Sequence, residues 1–376
     1  MNFFKLKRSL NLTLKNQFGW KTEKKIIVFS VDDYGNIRMA SKEAREKMRE
    51  AGLNVESNRF DRLDALENEE DLDQLYETLS SVKDRNGNPA IFTTFSLPAN
   101  PDFEKIIQSD YSEYFYEPLY KTYKKIEGYG NVLHKIKQGI DEKLILPQFH
   151  GREHLSIKVL LELLKRKDKE AICSINNRSL ACITSKPFST IGYTSAFAFT
   201  SFDETENHKK IIEDGLNVFE EVYGYRAKHF TAPGNNGHTI LESVLSEGGI
   251  EYIDTDFVKN EHQGNSVYKR KFNYTGKKNK FNQLYFVRNC VYEPLLNPNL
   301  DWEDYCMMQI EIAFKYKKVA NISSHRVNFG GHIEQENREI GLKKLRNLLK
   351  KIIQKWPDVE FMSTIDVGNL ISQSKN

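Results

Sequence analysis

The chain has 376 residues, 39% of them hydrophobic and 12% aromatic, enough to fill the core of one large α/β domain or two ordinary ones. Charged residues make up 28% and nearly cancel, at +3, which gives no reason to expect nucleic acid or another polyanion as the main partner. No run approaches the roughly 18 apolar residues of a membrane span, and Cys173, Cys182, Cys290 and Cys306 form no CxxC pair, as expected of free thiols in a reducing compartment.

Residues 1–20 interleave Phe3, Phe4, Leu6, Leu10, Leu12, Leu14, Phe18 and Trp20 with Lys5, Lys7, Arg8 and Lys15. No continuous apolar stretch marks a secretory signal. The mixture suits either a strap packed on the domain or an amphipathic segment on an anionic membrane surface. Residues 1–24 are therefore set apart from a single domain over 25–376, expected in the cytoplasm or peripheral to a membrane.

The first strand is Ile26-Ile27-Val28-Phe29-Ser30-Val31, a β-branched, apolar run that ends on Asp32-Asp33. Residues 41–52 predict a helix with Ser41 as N-cap and Gly52 at its C-terminus. Another helix is predicted over 70–83 and a strand over 89–95. Residues 101–128, rich in Tyr and acids, show no clean period and read as an insertion or short helices. A helix over 131–142, a strand over 144–149 and a strongly amphipathic helix over 155–168 follow. The stretch 171–205 has no readable pattern. A helix over 207–223 ends at Gly224, and a strand over 228–232 leads into the turn cluster Pro233-Gly234-Asn235-Asn236-Gly237. A helix at 239–248, a strand at 250–253 and a basic loop or hairpin at 259–283 come next. The rest is a helix over 303–317, a strand over 318–324 ending at His325, a long basic helix over 335–355 and a last strand over 358–363.

Alternating strands and helices predict parallel βαβ units. Six or seven such units, without repeats or linkers, predict an α/β fold, a distorted (β/α)7-type barrel with insertions. Chemistry in such folds sits at the C-terminal strand ends. Asp32 and Asp33, His150, Pro233-Gly234 and His325 all directly follow apolar runs, so four strands aim polar groups at one face. One of the two aspartates with His150 and His154 is a ligand set for zinc or a similar divalent ion. The imidazoles need outer partners, for which Gln148, Glu153 or a backbone carbonyl are available. A second Asp beside a ligand is a candidate general base. His325 is a candidate acid for a leaving group.

The order of these motifs resembles the polysaccharide deacetylase, or NodB-homology, family. Ser30-Val31-Asp32-Asp33-Tyr34-Gly35 is similar to its T/S-F-D-D-G motif with one residue inserted, and His150-Gly151-Arg152-Glu153-His154 to its H-S/T-x-x-H motif. Tyr223 to Gly234 resembles the lead-in to F-R-x-P-Y/G, and Ser324-His325 stands at the late histidine. The related YdjC-like deacetylases share the Asp-Asp start. The resemblance runs from about residue 25 to 370. It implies a metal-dependent hydrolase that removes acetyl groups from a carbohydrate. Asp32 would be the base, Asp33, His150 and His154 the metal ligands, His325 the acid, and the N–H of Gly234 or Asn235 an oxyanion donor. Three departures stand out. Thr231 occupies the position of the family's base-orienting Arg, leaving Arg226, Lys228, Arg288 and Arg326 to take that part. Gly151 replaces Ser or Thr. Only Asp254 and Asp256 answer the D-x-x-D-W motif.

Two rival readings compete. His150, Glu153 and His154 spell HxxEH, a zinc-protease pattern that needs both histidines on one helix; Pro147 and Gly151 oppose that. A non-catalytic sugar-binding relative would instead stack sugars on aromatics such as Tyr111, Tyr114, Phe115, Tyr116, Trp302 and Tyr305.

Overall fold

The computed structural model describes residues 13–185, 189–264 and 267–374. Its frame is a nine-stranded, all-parallel sheet. Among the described residues thirteen strands occur in chain order. They are β1 (Lys25–Tyr34), β2 (Phe92–Ser96), β3 (Ala99–Pro101), β4 (Tyr116–Pro118), β5 (Ile145–Phe149), β6 (His229–Phe230) and β7 (Tyr252–Asp254), then β8 (Val258–His262), β9 (Tyr268–Phe272), β10 (Leu284–Phe286), β11 (Cys290–Val291), β12 (Ala320–His325) and β13 (Val359–Phe361). The sheet runs β10-β7-β6-β5-β2-β1-β12-β11, and β13 pairs with the first residues of β1. The antiparallel pairs β3–β4 and β8–β9 lie apart from it.

β1 is central because both of its faces are apolar, as in other doubly covered parallel sheets. Ile27, Phe29 and Val31 pack outward against Leu72, Leu75 and Leu79 of the helix Glu69–Ser80 and against Leu342, Leu345 and Leu349 of the helix Gln335–Lys355. Ile26 and Val28 point the other way and meet Tyr252, Leu284 and Phe286 of β7 and β10. Those strands lie at the far end of the strand order, so the sheet must curl for the contact to exist. Val367 and Ile371 of the helix Thr364–Gln373 fill the same interior. Gly368 lies against the Tyr252 ring so closely that a methyl group there would overlap it.

The α/β barrel expectation holds, with a difference in strand count. Among the described residues no pairing joins β10 to β11, so the barrel is open there. These two strands span three and two residues, too few for a period-2 pattern to register. The patternless stretches are real structure. Residues 101–128 hold two short helices, Phe103–Gln108 and Leu119–Lys125, and β4. The unread 171–205 takes in the end of the helix Lys169–Asn176 and, within 189–200, a segment whose Tyr193, Phe197 and Phe199 are buried. The basic segment 259–283 contains the β8–β9 hairpin.

Ser41 caps its helix through the Ala44 N–H as expected, and Gly224 closes the helix Thr205–Tyr223 in the left-handed region. All four cysteines are free. No helix among the described residues is long and apolar enough to cross a membrane. Of the N-terminal segment, residues 1–12 lie outside the described residues. Residues 13–24 are tied down: the Trp20 N–H donates to the Thr275 carbonyl, Lys318 Nζ donates to the Gly19 carbonyl, and Asn289 donates to the buried Asn16 side chain.

The long helix Gln335–Lys355 crosses the turn after β12 at Gly341. A methyl group there would overlap the Asn328 carbonyl oxygen, a backbone atom that cannot step aside. Gly341→Ala is expected to lower stability by about 2–3 kcal/mol. Urea unfolding checks this, and an unchanged midpoint would contradict the close packing.

Candidate metal and active site

The C-terminal ends of β1, β5 and β12 converge on one pocket of about 580 Å³, lined among others by Asp32, Asp33, His150, His154, Gly234, Asn235, Arg288 and His325. All seven residues singled out from the sequence therefore share one cavity. In the parallel register Asp32 stands beside His325. A bulge between Val31 and Tyr34 interrupts pairing with β2. There Asp33 takes φ +79°, a conformation rare for a residue with a side chain.

Asp33 Oδ1 lies 3.5 Å from Nε2 of both His150 and His154, and one donor atom from each residue falls within 4.8 Å of the others. Two ligands on one zinc at about 2.0–2.1 Å and a tetrahedral angle stand about 3.4 Å apart. His150 Nδ1 lies 2.8 Å from the Thr231 carbonyl. That carbonyl can only accept, so Nδ1 carries the proton and Nε2 turns its lone pair to Asp33. Burial lowers His154 to about 4 despite the pull of Asp33, which keeps its imidazole neutral, as a metal ligand must be. Burial raises Asp33, and only donation or positive charge from the facing His150, His154 and His325 holds its carboxyl below the usual range, a part that a bound cation would take over while the imidazoles stay neutral. A buried carboxylate facing two imidazoles is short of countercharge. These donors fit a divalent ion.

Of the expected outer partners for His150, the backbone carbonyl is the one in contact. Gln148 accepts from the N–H groups of Lys228 and His229. Glu153 is buried in a two-bond pair with Arg152, each bond 2.7 Å, and Arg152 also reaches Asp214. The residues 150–154 are not helical. The HxxEH protease reading needs both histidines on one helix and a Glu free to face the metal, and neither holds. Gly151 departs from Ser or Thr for a backbone reason: it takes φ +104°, with Phe197 and Pro233 close to where a side chain would begin.

Asp32 is gripped by Arg288, whose Nη1 and Nη2 donate to its two oxygens at 2.7 and 2.8 Å. Arg288 Nε also donates to Asp254 at 2.7 Å, and Nη2 to Thr231 Oγ1. The Thr231 hydroxyl in turn donates to Asp254. Burial raises Asp254, but Arg288, His229 and Thr231 reverse this and hold it well below the usual range. The missing Arg is therefore replaced in space. Arg288 enters from the link between β10 and β11, two strands the sequence pattern did not reveal. The other candidate cations are committed elsewhere. Arg326 is spent on Asp64, Glu67 and the Asn36 carbonyl. Arg226 binds Gly248, Asn217 and Glu220, and Lys228 pairs with Glu251.

His325 Nδ1 contacts Glu293 Oε1 at 2.6 Å, and Glu293 is braced by Asn328 and Arg59. Burial disfavours charge on His325, but Glu293 and the two aspartates push it up to about 9. Sequence reasoning missed Glu293, whose link to His325 is spatial. Of the two proposed oxyanion donors, the Asn235 N–H is already given to the Ala232 carbonyl. Gly234 is left as the candidate, at φ +61° on the pocket wall. The aromatics expected to stack sugars are mostly elsewhere. Of them Tyr305 lines the pocket, while Trp302 is buried and Tyr116 underlies Arg152. Phe60 and Phe257 are the other pocket rings.

No protein-family model matches this sequence, and no curated protein matches it. Similar solved structures include a putative polysaccharide deacetylase from Mycobacterium smegmatis, with TM-score 0.45, 11% identity and coverage of 95% of this chain and 93% of that one. A probable polysaccharide deacetylase from Pseudomonas aeruginosa PAO1 gives 0.46 and 9%, over 94% and 92%. A GH57-type branching enzyme from Pyrococcus horikoshii gives 0.47 and 11%, over 94% and 71%.

Two expectations follow from the geometry. Arg288→Met strands two buried carboxylates and should cost about 3–5 kcal/mol at neutral pH. Because Asp254 is depressed in the folded state, its contribution is fully present above about pH 4 and is lost as pH falls below that, through its depressed folded-state value. The deficit of the variant should therefore shrink in acid, and a pH-independent deficit would contradict the clamp. Glu153→Gln should weaken the fold yet leave bound metal per chain unchanged, measured by elemental analysis.

Proposed function

We propose that this chain is a metal-dependent hydrolase that removes an acetyl group from a carbohydrate. The observation that carries the reading is one pocket holding three separately held parts. They are a three-donor cluster of Asp33, His150 and His154, an arginine-clamped Asp32, and a His325 paired with Glu293. The motif order of the sequence agrees with it.

Asp33, His150 and His154 would hold the ion, with zinc favoured by the nitrogen-rich set. When bound, such an ion polarises the acetyl carbonyl and lowers the pKa of a water molecule beside it. Asp32 accepts the proton of the attacking water, and Arg288 fixes the direction of its lone pairs. The Gly234 N–H donates to the developing oxyanion. His325, held protonated by Glu293, gives its proton to the departing sugar nitrogen or oxygen as acetate leaves. Phe60, Phe257 and Tyr305 are placed to take the faces of sugar rings.

Acetate release from acetylated sugars, with zinc supplied, tests this reading. Asp32→Asn should reduce kcat by about a hundredfold or more, the usual worth of a positioned base. His325 loses its proton as pH rises, so wild-type activity should fall on an alkaline limb near pH 9. Glu293→Gln should move that limb down toward the ordinary imidazole value of about 6.5. An unmoved limb would remove His325 from the acid role. A sugar-binding protein without catalysis would bind acetylated sugar and release no acetate.

A further inference from the structure

We propose that the outer face of the β8–β9 hairpin, together with Phe18, docks on an anionic lipid surface beside the mouth of the pocket. In the hairpin register Val258 faces Phe272, Asn260 faces Arg270, and His262 faces Tyr268. The alternate positions turn inward, where Glu261 is buried between Lys259 and Lys271. Side chains alternate across a strand, so Val258, Phe272, Arg270 and Tyr268 share the outer face.

That face is unusually apolar for a surface. Phe272 and Tyr268 are each 59% exposed and Phe18 is 53% exposed. Phe18 and Phe272 are joined through one ring: Phe18 stacks on Phe257 with centroids 6.3 Å apart, and Phe257 meets Phe272 edge-on, also at 6.3 Å. Phe257 is itself a pocket residue. Exposed contiguous apolar patches mark interaction surfaces.

Charge selects the partner. Between Glu261 and Glu293 the chain has no acidic residue, while Lys269, Arg270, Lys271, Lys277, Lys278, Lys280 and Arg288 fall there. Lys271 is paired to Glu261, and Arg288 belongs to the site. Among the described residues the other five make no ion pair, though Lys277 donates to the Phe272 carbonyl and to Asn273. Val258, Phe272 and Phe18 present hydrocarbon without hydrogen-bonding groups, which suits acyl chains. Arg270 on the same face, with the exposed Lys269 beside it, suits lipid phosphates. A nucleic acid would leave that hydrocarbon wet. The sequence just ahead, with Phe3, Phe4, Leu6 and Leu10 among Lys5, Lys7 and Arg8, continues the same composition. Under the deacetylase reading this placement suits an acetylated sugar carried by the membrane, but the binding test stands without that reading.

Sedimentation of the full chain with vesicles decides it. Wild type should bind equimolar phosphatidylglycerol–phosphatidylcholine vesicles, not phosphatidylcholine alone, and high salt should release it. Arg270→Glu with Phe272→Ser should weaken binding at least about tenfold at an unchanged melting temperature. Should that pair unfold, Phe18→Ser alone should still weaken binding severalfold. Absence of binding to anionic vesicles, or equal binding by the folded variants, overturns the proposal. So does retention on heparin without vesicle binding, which would assign the face to a polyanion.

Discussion

The constraint on which the site depends is the placing of a buried carboxylate, Asp33, on a left-handed backbone where the central strand breaks register. Neither feature is favourable alone. The conformation is rare for a non-glycine residue, and a buried anion needs a countercharge. Ten residues of buried β1, held on three sides by β2, β12 and β13, supply the rigidity that fixes the bulge. Two imidazoles, one of them locked by a backbone carbonyl, face the carboxylate without neutralising it. A divalent ion would resolve that imbalance.

Around this centre charges are distributed so that adjacent groups take different parts. Asp32 follows the same strand yet is held by Arg288 rather than by imidazole. His325, its neighbour in register, is charged because Glu293 sits behind it. Two aspartates one position apart thus meet opposite surroundings, an arginine for one and two imidazoles for the other. Adjacent residues in a strand point to opposite sides, and the bulge lets both reach the cavity.

Much of this was legible in the sequence because it is local. A β-branched run ending in Asp-Asp names both a buried strand and the acids at its tip. Histidines that directly follow apolar runs can be assigned to the same edge of the sheet from topology alone. What stayed hidden is what depends on contacts between distant segments. Arg288 lies between two strands of three and two residues, too short for periodicity, and nothing in its neighbours ties it to Asp32, 256 positions away. Glu293 is likewise joined to His325 only through the fold. Gly151, which departs from the Ser or Thr of the motif, answers a demand of φ. The sugar-stacking residues were misplaced for a related reason: aromatics in an unpatterned stretch give no sign of which cavity they face, and most of them pack on the core.

The central claim is that Asp33, His150 and His154 form one metal site. The most direct measurement is the number of divalent ions bound per chain after zinc loading and dialysis, for the wild type and for Asp33→Ala. The account predicts one tightly held ion in the wild type and none in the variant, with both proteins folded. An ion retained at full stoichiometry in Asp33→Ala, or none bound by the wild type, would contradict it.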